Sequence, residues 1–323
     1  MPTAVQIRQT GGPEVLKASE VEVGDPGPRE ILVDVAASGV NYIDTYQRSG
    51  LYPIPTPFVL GMEGAGTVAA VGAEVSEFAP GDRVAWQGHL GSYTQRALVP
   101  ADVAAKVPDG VSDEIAAAAM LQGFTAHYLI ASTYEVKPGD DILVHAAAGG
   151  VGLLLVQLAK ARGARVIGTV STAEKEQLAR EAGADDVIRY DEVDFAEVTR
   201  KLTGGEGVDV VYDGVGKSTV DGSLASLKPR GLLALFGAAS GPVPPIDPQR
   251  LNSGGSLYLT RPTIVHYTRT KEERDWRARE VFGAITDGSL DIRIGGRYPL
   301  AEARQAHEDL EARKTTGKLL LIP

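Results

Sequence analysis

The sequence predicts an α/β protein in which a doubly wound parallel sheet is inserted into a mainly antiparallel β-barrel domain. Three observations carry this. Residues 1 to about 122 hold short β-prone runs separated by Gly/Pro turns, strands and helices alternate from Val136 onward, and the C-terminal stretch ends on a strand of its own. The tail is expected to complete the first domain. The chain then divides into 1–123 with 262–323 and an inserted 124–261, with a cleft between the two bodies.

In the first part, Ala4–Ile7, Glu30–Ala36, Gly66–Val71 and Asp82–Trp86 are β candidates, set apart by stretches such as Gly24–Pro28 and Ala79–Asp82. The Tyr/Pro-rich stretch that holds Tyr46 and Tyr52 reads as a loop. In the insertion, Ile142–His145, Arg165–Val170, Asp186–Arg189, Val208–Tyr212 and Leu232–Phe236 read as strands, with helical patterns near 150–162, 173–182, 194–202 and 218–227 between them. A sixth strand, Ser256–Thr260, follows a Pro-rich excursion over Gly241–Pro248. Amphipathic helices near 271–287 and 300–312 precede a final strand, Lys318–Ile322. No internal repeat or low-complexity segment interrupts the pattern.

The most informative turn is Ala146-Ala-Ala-Gly-Gly-Val-Gly152, between a buried strand and the helix that starts Leu153-Leu-Leu-Val. Small residues at Ala147, Gly149 and Gly152 keep the spacing of a dinucleotide fingerprint, with Ala in the first place. A tight turn, a close backbone approach to a pyrophosphate and close helix–strand packing all require small residues there. The N–H groups at the helix N-terminus then face the phosphates. The next strand runs out as Gly168-Thr-Val-Ser-Thr172, with no carboxylate at its tip to bond the ribose hydroxyls of NAD. Ser171 and Lys175 can hold a 2′-phosphate by hydrogen bond and charge, which favours NADPH. Ser171 and Thr172 can equally cap the following helix, with Lys175 solvated.

Bulk composition excludes several classes. The 323 residues are 43% hydrophobic and 23% charged, ordinary for a globular protein, and suffice for two domains. A net charge of −10 argues against nucleic-acid binding, which relies on clustered Lys and Arg. No apolar run approaches the ~20 residues of a bilayer span, and no signal-peptide pattern is present, so no membrane partner and a cytoplasmic location are expected. Cysteine is absent, which removes disulfides, thiol nucleophiles and Cys-ligated zinc. The five histidines, His89, His127, His145, His266 and His307, form no ligand pair at helical spacing and are expected to be packed or at the surface.

Ordered motifs along nearly the whole chain resemble the medium-chain dehydrogenase/reductase superfamily, and within it the zinc-independent quinone oxidoreductase branch that includes zeta-crystallin. They are Gly11–Leu16, Asn41–Tyr46, Arg48–Tyr52, Gly61–Gly66, Gly81–Val84, His145–Gly152, Val211–Gly216 and Gly255–Pro262. The resemblance implies a Rossmann domain inserted into a GroES-like catalytic domain. Zinc-dependent members place a Cys in the segment that here reads Asn41–Asp44, and a His where this chain has Met62. A thioether is a poor zinc ligand, so the usual zinc site cannot form and no metal is expected. Alcohol oxidation loses its Lewis acid, and reduction of an electrophilic acceptor fits better.

By that resemblance Asn41, Tyr46 and Tyr52 line the active site. Asn41 would donate N–H to cofactor or acceptor, and the two tyrosines would donate O–H to the acceptor oxygen. Tyr42, Asp44, Tyr128, Gly150 and Val151 are expected at the cofactor, Tyr128 at its phosphates and ribose. Tyr190 would lie near the adenosine. Gly216, Phe236, Gly237, Ser240, Pro262 and Thr263 would surround the nicotinamide, and Arg313 would reach the 2′-phosphate. The family has a polar residue where this chain has Ala238. Hydride transfer from NADPH to a quinone, yielding semiquinone or hydroquinone, is the expected reaction, with an NADPH-dependent alkenal or enone reductase as the alternative. A non-catalytic NADPH-binding crystallin-like protein or an RNA binder is the alternative of another class. A homodimer through the edge strand near 256–260 is also expected.

Overall fold

Across residues 1–323, all described by the computed structural model, the chain leaves its first unit after Phe124 and returns to it at Thr268. Thr125–Tyr267 forms a second unit. The sequence pattern puts the return at 262. It falls later because Ile264–Tyr267 makes a 3-10 turn whose Tyr267 ring stacks on Tyr128, at 4.4 Å between centroids and 7° between planes.

The N-terminal part of the first unit runs β1 (Thr3–Ile7), β2 (Ala18–Glu20), β3 (Glu30–Val40), α1 (Tyr42–Ser49), β4 (Phe58–Val59), β5 (Glu63–Val71), β6 (Arg83–Gln87), β7 (Arg96–Pro100), β8 (Ala104–Lys106) and α2 (Asp113–Tyr128). Strand β3 organises it. Exposed Asp34 and Ala36 alternate with buried Val33, Val35 and Ala37, the period-2 pattern of a strand with one face in the core. It pairs antiparallel with β5 on one edge and β7 on the other. Ile31, Val33, Val68, Val84, Trp86 and Val99 close the core beneath.

Two helices here were not legible as helices. The α1 segment, Tyr-Ile-Asp-Thr-Tyr-Gln-Arg-Ser, holds β-branched and aromatic residues of modest helix propensity and reads as a loop. The Asn41-x-x-Asp44 pair is the signal that marks its start, because the Asp44 carboxylate accepts the Asn41 backbone N–H at 2.8 Å. Tyr46 therefore stands on a helix, and only Tyr52 lies in the loop beyond. Helix α2 and the turn after it, Asp113–Thr133, are long and apolar enough to cross a membrane, contrary to the expectation that no such run exists. Most of that stretch is buried in the protein, the pattern of a core helix.

The second unit alternates β9 (Asp141–Val144), α3 (Gly150–Ala161), β10 (Arg165–Val170), α4 (Ala173–Glu181), β11 (Asp186–Arg189), α5 (Phe195–Leu202), β12 (Val208–Asp213), α6 (Val220–Ser226), β13 (Leu227–Leu235), α7 (Pro248–Ser253) and β14 (Tyr258–Thr260). Its sheet is parallel in the order β11-β10-β9-β12-β13-β14. Successive connections run one way from β9 and then the other from β12. This is the doubly wound order, with a ligand crevice outside the strand ends where direction reverses.

On return the chain forms α8 (Lys271–Thr286), β15 (Ile294–Pro299), α9 (Ala303–Glu311) and β16 (Lys318–Ile322). Strand β16 pairs antiparallel with the end of β3, Leu319 opposite Val40 and Leu321 opposite Ser38, and β15 pairs parallel outside it. The tail thus completes a seven-stranded, mainly antiparallel sheet.

Candidate active site

In the second unit the strand ends converge on one crevice. The β9–α3 turn leaves the sheet beside β12, and the His145 N–H donates to the Tyr212 carbonyl at 3.1 Å. Gly149 caps α3, and the first-turn N–H groups of Gly150, Val151 and Gly152 lack intrahelical acceptors. Buried Ala147 and Gly152 bring the helix close to its strand. A Cβ on Gly152 would lie 2.2 Å from the Ala146 carbonyl oxygen and 2.9 Å from the Ala147 Cα. That is the cradle a pyrophosphate needs, with backbone in place of side chains.

The same crevice edge receives Gly216. Its N–H and that of Val215 donate to Asp213 Oδ1 at 2.9 and 2.8 Å, and Asp213 Oδ2 accepts from Ser223 Oγ at 2.8 Å. His145 joins Ser223 at 3.0 Å and Thr169 at 2.8 Å. These three residue types suggest a hydrolytic triad, but the histidine faces the serine and a threonine, and all are buried. The network ties β9, β10, β12 and α6 together and fixes the Gly216 loop. Phe236 and Gly237 follow β13 with their N–H groups on the Asp213 carbonyl, and Pro262 and Thr263 follow β14.

Three of the residues expected here have partners within the protein. The Ser240 hydroxyl accepts from the Ser218 N–H at 3.0 Å and donates to the Val215 carbonyl at 2.8 Å, so it pins its own loop. Tyr128 is 2% exposed and stacked on Tyr267. Thr172, not Ser171, caps α4, its Oγ1 accepting from the Lys175 N–H at 3.2 Å. Ser171 is thereby left at the tip of β10 without a capping duty. Tyr190 is exposed at the end of β11, its N–H on the Val170 carbonyl at 3.1 Å.

In the first unit Tyr42, Tyr46 and Tyr52 form a ladder, with ring centroids 6.4 Å apart for the first pair and 5.4 Å for the second. Tyr52 is 41% exposed and Tyr46 partly so. The Tyr42 hydroxyl donates to the Leu310 carbonyl at 3.0 Å. Burial raises its pKa, and the positive charge of Arg313 opposes that shift. Arg313 has φ +57°, the left-handed position just past the end of α9.

Asn41 does not play the expected part. It is buried, its Nδ2 donates to Glu63 Oε2 at 2.8 Å, and its Oδ1 accepts from Lys318 Nζ at 2.6 Å. Lys318 Nζ also reaches Glu63 Oε2 at 2.5 Å, and the Leu121 N–H donates to Glu63 Oε1 at 2.6 Å. The amide is turned inward and orients protein, not ligand. Asp44 is likewise corrected. It is fully buried, held by the Asn41 N–H and by Tyr93 Oη at 2.8 Å. Sequence reasoning passed over Glu63, Tyr93, His307 and Lys318. Lys318 opens an otherwise apolar strand, but its partner lies 255 residues away, so no local pattern reveals the pair.

Tyr93 Oη also meets His307 Nε2 at 3.1 Å, and His307 Nδ1 meets Arg48 at 3.0 Å. Burial pushes the Asp44 carboxyl up to about 7, and burial with the Arg48 charge pushes His307 down to about 3. Asp44 binds its proton more tightly folded than unfolded, so its contribution is full below about pH 4 and is lost as pH rises through 7. His307 contributes fully above about pH 6.5, and its contribution is lost as pH falls through 3. Between those unfolded values the two slopes cancel. A His307→Gln variant is therefore expected to lose stability, relative to the parent, steadily as pH rises from about 4.5 to about 6.5. Urea unfolding at three pH values, followed by tryptophan fluorescence, measures this. A variant profile parallel to the parent's would refute the assignment.

Two family models match the chain: an alcohol dehydrogenase GroES-like domain over residues 27–109 and a zinc-binding dehydrogenase domain over 150–282. A quinone oxidoreductase of Pseudomonas aeruginosa is 49% identical over 325 residues, covering all of both chains. The chain belongs to the quinone oxidoreductase family. Within this family of medium-chain dehydrogenases/reductases, a mycobacterial structure complexed with NADPH is 56% identical, with a TM-score of 0.97 and 99% and 100% of the two chains covered. A 2-haloacrylate reductase of Burkholderia sp is 44% identical over 100% of this chain and 99% of its own. The second family model is named for zinc; this quinone oxidoreductase-family chain has no cysteine, and no group of three His, Asp or Glu side chains that could hold a metal ion is found.

Proposed function

We propose that this protein is a zinc-independent NADPH:quinone oxidoreductase. The observation that carries the reading is full-length identity near one half with quinone oxidoreductases. The cofactor fits the chain's own residues. The Ala147–Gly152 turn offers backbone N–H groups where a side chain would collide, and Ser171 with Lys175 stands where a 2′-phosphate would be held. When bound, NADPH supplies the hydride that reduces the acceptor. Gly216, Phe236, Gly237, Pro262 and Thr263 border the nicotinamide in this reading, Tyr190 the adenosine and Arg313 the 2′-phosphate, with Tyr42 also at the cofactor.

The hydroxyls of Tyr46 and Tyr52 donate to the acceptor oxygen as negative charge develops, and the exposed Tyr52 ring offers a planar face to a planar acceptor. Water completes any protonation. The enzyme is cytoplasmic and pairs with its copy through β14, an edge strand whose Tyr258 is 61% exposed. NADPH oxidation against benzoquinone and naphthoquinone, with semiquinone detection, tests the reading. Absence of turnover with every quinone overturns it. The likeness to a 2-haloacrylate reductase favours a second reading, reduction of an activated alkene, and a haloacrylate or enone turned over faster than any quinone would establish that instead.

Placing a carboxylate at the tip of β10 tests cofactor choice. Ser171→Asp is expected to weaken NADPH binding about tenfold, roughly 1.4 kcal/mol, and to strengthen NADH binding. Fluorescence titration with both nucleotides reads this out. Unchanged NADPH affinity would remove Ser171 from the phosphate site.

A further inference from the structure

Lys318 and Glu63 are 1% and 0% exposed, an ion pair wholly inside the first unit. Burying two charges is costly, and well-packed apolar residues of similar size commonly stabilise a fold as well or better. Stability alone gives no reason for this pair. Its geometry gives one. Strands β16 and β5 flank the end of β3, and the two side chains meet across Gly39. A Cβ there would lie 2.2 Å from Glu63 Oε2, 2.7 Å from Lys318 Cε and 2.8 Å from the Ala117 carbonyl oxygen. The strand lacks a side chain at the one place where the pair must close.

What the pair closes on is Asn41. A carboxamide whose oxygen faces the ammonium at 2.6 Å and whose nitrogen faces the carboxylate at 2.8 Å has one orientation. Asn41 is the N-cap of α1, its own N–H is fixed by Asp44, and α1 carries Tyr42 and Tyr46. The Tyr52 N–H in turn donates to the Tyr46 carbonyl at 3.0 Å. We propose that Lys318 and Glu63 are positioning residues for the reduction: their ion pair clamps Asn41, and through it sets where α1 presents Tyr46, and the loop bonded to it Tyr52, to the acceptor. This rests on the quinone reductase reading, in which those tyrosines face the acceptor.

The test replaces the whole pair in the full-length protein, Lys318→Met with Glu63→Leu, so that no lone charge is left buried. The double variant is expected to fold, with an unfolding midpoint below the parent's but above that of Lys318→Met alone, and an NADPH KM within about twofold. Its kcat with benzoquinone is expected to fall about 10- to 100-fold, the scale of a small misplacement of reacting groups. Amide hydrogen exchange over Thr45–Ser49 is expected to rise at least about tenfold while β5 and β6 keep parental rates. Parental kcat together with parental exchange in α1 overturns the proposal. Should the double variant fail to fold, Lys318→Arg decides. It keeps the charge but spreads its donors over a planar head, so kcat is expected to fall about fivefold with faster α1 exchange. Parental values for both in that variant are equally fatal. A parent that turns over no quinone removes the functional reading, and α1 exchange then decides the clamp by itself.

Discussion

Replacing Gly152 by alanine is expected to weaken NADPH binding at least about 100-fold, some 2.7 kcal/mol. The added Cβ has nowhere to go. At 2.2 Å from the Ala146 carbonyl oxygen and 2.9 Å from the Ala147 Cα it meets backbone, which cannot swing aside as a side chain tip can. Helix α3 must then lift from β9. Its first-turn N–H groups move with it, and those are the donors the pyrophosphate reading depends on. Overpacking is expected to cost the second unit about 1–3 kcal/mol as well. Gly149→Ala is the internal control. Its nearest contact is the Ala146 oxygen at 3.1 Å, a strain of tenths of an ångström, so only a few-fold loss is expected. Nucleotide titration of the two variants, with circular dichroism to confirm that helix content is kept, checks the contrast. Equal affinities in Gly152→Ala and the parent would rule out close approach at this turn.

That contrast also shows why the second unit was so legible. Its strands alternate with helices at short range, the starts of α3, α4, α5 and α7 each have a local cap or glycine signal, and each small residue of the turn answers to a contact only a few positions away. The parallel order and the crevice follow from the alternation. The first unit reads less well because its decisive contacts are distant. Helix α1 hides behind two tyrosines and a β-branched pair, and β15, Ile-Gly-Gly-Arg-Tyr-Pro, looks like a turn until β16 is beside it. Asn41 was recognisable as a polar residue at the site, but its orientation is set by Glu63 and by Lys318, 277 residues along the chain. Tyr93 and His307, which buttress Asp44, are 214 residues apart. Motifs announced which segments matter. Long-range partners determined what each side chain does there.

Removing only the cation of the buried pair is expected to have the largest effect on stability. Lys318→Met leaves the Glu63 carboxylate in the core with the Asn41 amide and the Leu121 N–H but no positive charge against it. Breaking a buried pair this way costs about 3–5 kcal/mol, because one charge remains desolvated and uncompensated. Adding Glu63→Leu removes that charge and is expected to return most of the loss, leaving the cost of an Asn41 amide with fewer partners, about 1–3 kcal/mol. The second substitution thus rescues the first, an outcome that no sum of independent contacts gives. Both tryptophans, Trp86 and Trp276, lie in the first unit, so urea unfolding followed by their fluorescence reports on the unit that holds the pair. A Lys318→Met protein as stable as its parent would overturn the electrostatic basis of the clamp.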